Sequence, residues 1–401
     1  KAGSFLESPP AVIAPTLAPP AEKLGTHIDR YKLVHEIGHG GMGMVYMAVQ
    51  KTPVKRKVAL KIIKPGMDTA EVVARFEAER QALALMDHPC VAHVLDGGST
   101  DSGRPYFVME LVEGTPITEY CDACRYTTRQ RLELFVQVCH AGQHAHQKGN
   151  THRDLKPSNV LVTTLDDRAV PKVIDFGIAK AVHGQLTDHS VYTQVARMMG
   201  TPMYMSPEQA QRTGQDVDTR TDVYSLGVLL YELLTGTTPF DSEQLKRSSP
   251  EEVKRIMREE DPPRPSTRLS TVDAALETIA ETHRTDLRTL TRELVGELDW
   301  IVMKALEKDR TRRYDSASDL TKDIQRYLDD EPVEACPPST AYRLGKFYRR
   351  NKVALVAISA VVLSLTIGLA GTTWQAVRAT NAEKEARAQE DVAIQRLAET
   401  A

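Results

Sequence analysis

Apolar positions recur along this chain with two different periods, and the places where the period changes divide it into parts. Residues 1–26 show no sustained period: Pro9, Pro10, Pro15, Pro19 and Pro20 are spread among small residues. Such a segment cannot bury enough apolar surface to offset its ordering entropy, so a Pro-rich disordered tail is expected over 1–30. Its apolar piece, Ala11 to Leu17, is too short and too broken by proline to be an export signal. From Tyr31 the runs are of strand length: Tyr31–Ile37, Met44–Val49, Lys57–Ile63 and Pro105–Val112. A helical pattern spans roughly Asp68–Met86, a longer one about Thr128–Lys148, and Val170–Ile174 is strand-like again. Near the end, Val353 to Trp374 is a run of 22 residues without one charge. At about 1.5 Å per residue it covers a hydrocarbon core of about 30 Å. A buried helix of a soluble core would normally show a polar face, and this run shows none, so a membrane span over 353–374 is expected.

Composition narrows the picture modestly. An apolar fraction of 41% and a charged fraction of 26% fit a soluble globular majority, and the net charge of -3 gives no ground for a nucleic-acid partner. Five scattered cysteines (Cys90, Cys121, Cys124, Cys139, Cys336) do not form a disulfide framework, which favours a reducing compartment. Cys121 and Cys124 make a lone C-x-x-C pair, with no second pair or histidine cluster at ligand spacing. His144 and His146 lie in an apolar helical run and are read as packing or surface residues.

The chemistry concentrates between His152 and Asn159, His-Arg-Asp-Leu-Lys-Pro-Ser-Asn. Asp154, Lys156 and Asn159 put a carboxylate, an ammonium and a carboxamide in one loop, able to orient a hydroxyl, screen a phosphate and hold a metal. Alone, the stretch also suits an ordinary surface turn around Pro157 and Ser158. Gly38, Gly40 and Gly43, followed by Val45, give G-x-G-x-x-G-x-V between two strands. A glycine-rich hairpin lets backbone N–H groups approach phosphates without Cβ obstruction. A dinucleotide-binding fingerprint would be followed by a helix, whereas here Val45-Tyr46-Met47 continues as strand. Lys61 sits in the apolar run Val58-Ala59-Leu60-Lys61, where a solvated strand-face lysine is the ordinary explanation; Glu79 in the following helix is the expected ion-pair partner. Glu110-Leu111-Val112-Glu113-Gly114 reads as a connector whose backbone would meet an adenine, with Met109 behind it. Asp175-Phe176-Gly177 supplies a second oxygen ligand, so that Asn159 and Asp175 could share a hard cation.

Taken in order, G-x-G-x-x-G-x-V, V-A-L-K, Glu79, H-R-D-L-K-P-S-N, D-F-G and S-P-E (Ser206 to Glu208) resemble the eukaryotic-type protein kinase set. The resemblance runs from about Tyr31 to Leu328 and continues through Asp222-Val223-Tyr224-Ser225-Leu226-Gly227. In the family that segment anchors the catalytic loop, and Arg313 would pair with a buried Glu208. Lys156 and Thr201 resemble the serine/threonine branch, and Leu298 to Met303 is similar to bacterial, planctomycete-like membrane members. The resemblance implies an α+β, bilobal protein-kinase fold, with a β-rich N-lobe about 31–111 and a helical C-lobe about 115–328. A basic linker over 329–352, the membrane helix 353–374 and a helical outer start over 375–401 would follow.

On the same resemblance Asp154 would accept or orient the substrate hydroxyl and Lys156 would stabilise the transferred phosphoryl. Gly38, Gly40, Gly43, Val45, Ala59, Lys61, Glu79, Met109, Glu110 and Val112 would bind ATP, and Asn159 and Asp175 would bind Mg2+, or Mn2+ in its place. The implied function is transfer of the ATP γ-phosphate to Ser/Thr hydroxyls of protein substrates. The alternative is a pseudokinase scaffold, disfavoured because Lys61, Asp154, Asn159 and Asp175 are all present. Arg153 before Asp154 implies control by phosphorylation of the activation loop, with Thr187, Ser190, Tyr192 and Thr193 as candidates, and a homodimer for autophosphorylation. Three departures stand out: polar Asn150 and Thr151 before His152, Arg310 where many members have proline, and a charged insertion at 267–296. Arg343, Lys346, Arg349, Arg350 and Lys352 precede the apolar run, while Arg378 alone stands in 375–380 beyond it. The positive-inside rule then puts the kinase in the cytoplasm and the chain after Trp374 outside, single-pass in the lipid bilayer of the cytoplasmic membrane.

Overall fold

The computed structural model describes residues 22–39, 43–63, 81, 83–176, 202–210, 218–271, 276–339, 342, 346 and 351–399. These divide into two compact units, residues 1–328 with 333–336, and residues 329–332 with 337–401.

The first unit opens with a six-stranded sheet in the order β1-β2-β3-β4-β6-β5, all neighbours antiparallel. Its strands are β1 (His27–Ile28), β2 (Tyr31–His39), β3 (Gly43–Gln50), β4 (Arg56–Ile63), β5 (Val94–Ser99) and β6 (Pro105–Glu110). Alternation decides which side chains face which layer. Tyr31, Leu33, Tyr46, Ala48, Val58, Leu60, Ile62 and Val108 pack on one face in a single buried cluster. The period of two turns Val45, Ala59, Lys61 and Met109 to the other face, where the register aligns Val45 with Lys61 and Ala59 with Met109.

A three-stranded sheet follows, β7 (Thr115–Pro116), β8 (Val160–Leu165) and β9 (Arg168–Val173), beneath a helical layer. The helix Thr128–Gln147 begins at a capping box, with Thr127 and Gln130 satisfying each other's exposed backbone groups. The helix Thr219–Thr235 starts at an Asp218 cap, ends on Gly236 at φ 68°, and is buried along nearly its whole length. A helix buried on nearly all sides belongs in the middle of a core, and this one packs at the centre of the C-lobe, with Asp222 as its buried charge. The charged insertion at 267–296 falls on the helices Pro265–Thr271, Leu276–Thr282 and Leu287–Glu293, with Leu269, Ile279, Leu290 and Leu294 buried. Its charges occupy the outer faces of helices whose apolar positions still reach the core.

The second unit is dominated by one helix, Lys352–Glu399. It contains the expected span and continues well past Trp374 without a break, and its large apolar side chains from Val356 to Ile394 are exposed.

Candidate active site

Three elements meet where β9 passes under the sheet. Val173 donates to Cys90 O at 2.8 Å and accepts from Ala92 N–H at 3.0 Å, and Ile174 N–H donates to Asn159 O at 2.9 Å. This threads the strand leading to Asp175 between the N-lobe segment 90–92 and the His152–Asn159 loop. Asp175 itself stands at φ 63° and Arg153 at φ 65°, left-handed conformations that side chains with a Cβ adopt only when surrounding bonds hold them.

Those bonds are visible. Asp222 has no solvent exposure and accepts from His152 N–H and Arg153 N–H, each at 2.8 Å, and from His146 Nε2 at 2.7 Å. Burial alone would raise its pKa, but the His146 hydrogen bond and the neighbouring imidazoles and amide leave it below the ordinary aspartate value. His152, also fully buried, faces Ile174 O through Nε2 at 2.9 Å and accepts from Asp154 N–H through Nδ1 at 3.2 Å. A carbonyl only accepts, so Nε2 carries the proton. The His152 ring also packs on Phe176, centroids 4.7 Å apart, which joins the loop to the D-F-G segment.

Within the loop Asn159 donates from Nδ2 to Asp154 O at 2.7 Å and to its Oδ2 at 3.2 Å, and Lys156 Nζ donates to the same Oδ2 at 2.7 Å. A single 3-10 turn, Pro157–Asn159, brings the three side chains together. Across the cleft Lys61, buried in β4, donates to Asp175 Oδ2 at 2.8 Å. Its expected partner Glu79 lies outside the described residues, as do Gly40 and the loop candidates Thr187, Ser190, Tyr192 and Thr193. Gly38 and Gly43 flank the hairpin. A Cβ on Gly43 would lie 2.0 Å from Ile62 O, so β3 approaches β4 there as only glycine permits. Met109 lines a small cavity with Leu83, Phe107, Asp175 and Phe176. Val112 is half-buried in the connector.

The structure adds detail at two places around the loop. His146, read as a packing or surface residue, is a buried partner of Asp222; nothing at its position marked it, because the contact is made by a residue 76 positions on. Asn150 and Thr151, the polar departure before His152, are buried; Thr151 Oγ1 accepts from Arg153 Nε at 3.1 Å, while Asn150 Nδ2 has no partner among the described residues. Gln209, which no motif singled out, donates to Arg153 O at 2.8 Å. The expected Arg313–Glu208 pair is present and bidentate, both bonds 2.8 Å, with Thr221 adding a third to Glu208.

Residues 31–323 match the protein kinase domain family. This chain belongs to that family. It is 35% identical over 312 residues to the serine/threonine-protein kinase PknB of Mycobacterium tuberculosis, an alignment covering 77% of this chain and 44% of the relative. It is 36% identical over 323 residues to the probable serine/threonine-protein kinase SCO3848 of Streptomyces coelicolor, covering 79% and 43%. The chain thus spans under half the length of these curated relatives. Among solved structures it resembles the PknI kinase domain of M. tuberculosis, with a TM-score of 0.54 at 25% identity over 77% of this chain and all of that one. Members of this family use ATP and a divalent metal and act on proteins, in keeping with a cleft bordered by the hairpin, Lys61, Asp175 and the His152–Asn159 loop.

Proposed function

We propose that this protein is a serine/threonine kinase that transfers the γ-phosphoryl group of ATP to hydroxyls of other proteins, tethered to the cytoplasmic membrane by the helix containing residues 353–374. The observation that carries the catalytic reading is the convergence of Lys156 and Asn159 on the Asp154 carboxylate, together with the Lys61–Asp175 pair.

Asp154 is the group that orients the substrate hydroxyl and takes its proton as the oxygen bonds to the γ-phosphorus and the bond to the ADP oxygen breaks. Lys156, already on the Asp154 carboxylate, would offset the charge of the transferred phosphoryl. Gly38, Gly40, Gly43 and Val45 cover the nucleotide, Ala59, Met109 and the backbone of Glu110–Val112 hold the base, and Lys61 with Glu79 positions the α and β phosphates. Asn159 and Asp175 fit a hard cation. The Asn159 amide nitrogen is committed to Asp154, which leaves its carbonyl oxygen, and the Asp175 carboxylate supplies the other oxygen ligand. Mg2+ bound there would neutralise charge on the phosphates.

Domain limits follow as 31–328 for the kinase domain, 329–352 for the linker, 353–374 for the span and 375–401 for the start of an outer helical region. Autophosphorylation of the activation loop, at Thr193 or Thr187, by a second copy is part of this reading. The test uses the full chain in detergent with labelled ATP and Mg2+, beside Asp154→Asn. Transfer to itself or to a generic basic protein, lost in the variant, supports the reading; a wild-type protein that binds ATP without transfer is a scaffold instead. Retention in the membrane fraction through an alkaline wash checks the anchor, and release into the supernatant rules it out.

A further inference from the structure

Glu110, the last residue of β6, is where the chain leaves the N-lobe, and its side chain is tied to both lobes. Lys172 of β9 places Nζ 3.0 Å from each Glu110 carboxylate oxygen. His93, just before β5, reaches Glu110 Oε2 through Nδ1 at 3.1 Å and through its backbone N–H at 3.3 Å, while Glu110 N–H returns a bond to His93 O at 2.9 Å. Asp87 lies 3.4 Å from the other nitrogen of the His93 ring. The Lys172 side chain is mostly buried, at 14% exposure, although nothing apolar requires an ammonium there. The Glu110 carboxylate is therefore held at the level of the connector, with one arm on the N-lobe segment and one on the strand that ends at Asp175 three residues later.

We propose that Glu110 and Lys172 form a latch across the lobe connector, which positions the backbone of residues 110–112 and the strand leading to Asp175 relative to each other. Glu110 opens the connector, and Lys172 stands three residues before Asp175 in the chain. A rotation of one lobe against the other has to stretch it. Glu110 is then a positioning residue through its side chain, in addition to the backbone contact expected of a connector residue. This deepens the kinase reading in its kinetic consequence only; the mechanical claim stands on geometry.

The test compares Lys172→Met and Lys172→Arg with the wild type in the full chain in detergent. Amide hydrogen exchange is followed over residues 90–94, 108–113 and 168–175, and initial rates are measured against ATP. Breaking a partly exposed ion pair is expected to speed exchange over 108–113 by about three- to fivefold. The KM for ATP should rise by a similar factor, with kcat changed by less than about twofold, because Asp154 and Asn159 are untouched. Lys172→Arg, which can still pair with the carboxylate, should stay close to wild type. Wild-type exchange and KM in Lys172→Met overturn the latch. So does a Lys172→Arg variant as impaired as Lys172→Met, which would assign the effect to packing. If the wild-type protein transfers no phosphate, the kinase reading fails while the exchange measurement still decides the latch.

Discussion

Asp222 and His146 lie 2.7 Å apart beneath the catalytic loop, and that same Asp222 carboxylate holds the amides of His152 and Arg153. One buried charge on a core helix therefore fixes the backbone that presents Asp154. Removing it leaves two amides and an imidazole without a partner in a site closed to water. Asp222→Ala is expected to cost about 3–5 kcal/mol, read from urea unfolding, and to abolish transfer. His146→Phe removes one bond of three and should cost about 1 kcal/mol, with transfer reduced but present.

The Arg313–Glu208 pair gives a pH-dependent prediction. Burial pushes the Glu208 pKa up, but the Arg313 guanidinium and the Thr221 hydroxyl outweigh it, and the folded-state value lies below the ordinary one. A depressed carboxylate stabilises the fold fully above its unfolded pKa, about 4.3, and loses that contribution as pH falls through the folded value. Arg313→Met should therefore be less stable than wild type by about 3 kcal/mol at pH 7, because it strands Glu208. The difference in melting temperature should be largest at neutral pH, narrow as the stranded Glu208 of the variant takes up a proton above its unfolded pKa, and narrow further in acid as the wild-type pair is lost. A gap that stays constant into acid would show that Glu208 is not the group responsible.

Gly43→Ala tests the close approach of β3 to β4. With the new Cβ directed at the Ile62 carbonyl, the strands must separate, and a loss of about 3 kcal/mol or more is expected. Gly103→Ala is a poor control, because φ there is 78°. Gly38→Ala is the better one, since its nearest neighbour is Val45 Cβ at 3.7 Å and the cost to stability should be small.

Metal dependence follows from the oxygen donors. Chelation with EDTA should stop transfer and Mg2+ should restore it. On the proposed reading, in which Asn159 is a cation ligand, Asn159→Ala is expected to raise the Mg2+ concentration for half-maximal rate by about tenfold or more, and it also removes a donor to the Asp154 carboxylate. An unchanged Mg2+ requirement would remove Asn159 from the cation site.

Much of this protein was legible in its sequence. The strand runs that carry Val45, Ala59, Lys61 and Met109 were evident from their apolar pattern, and the chemistry of the His152–Asn159 loop was plain because its residues are neighbours in the chain. The Glu208–Arg313 and Asp222 anchors were also anticipated, through the family resemblance. What local pattern could not carry were pairings between residues far apart that serve a charge rather than a period. His146 with Asp222, Lys172 with Glu110 and Gln209 with Arg153 are of this kind. So is Lys61 with Asp175; Glu79, the partner expected from the sequence, lies outside the described residues. Hydrophobic period and turn chemistry act over a few residues and therefore show in the chain itself. The partner of a buried polar group is chosen by whichever segment the core packing brings within about 3 Å, and only the folded structure decides that.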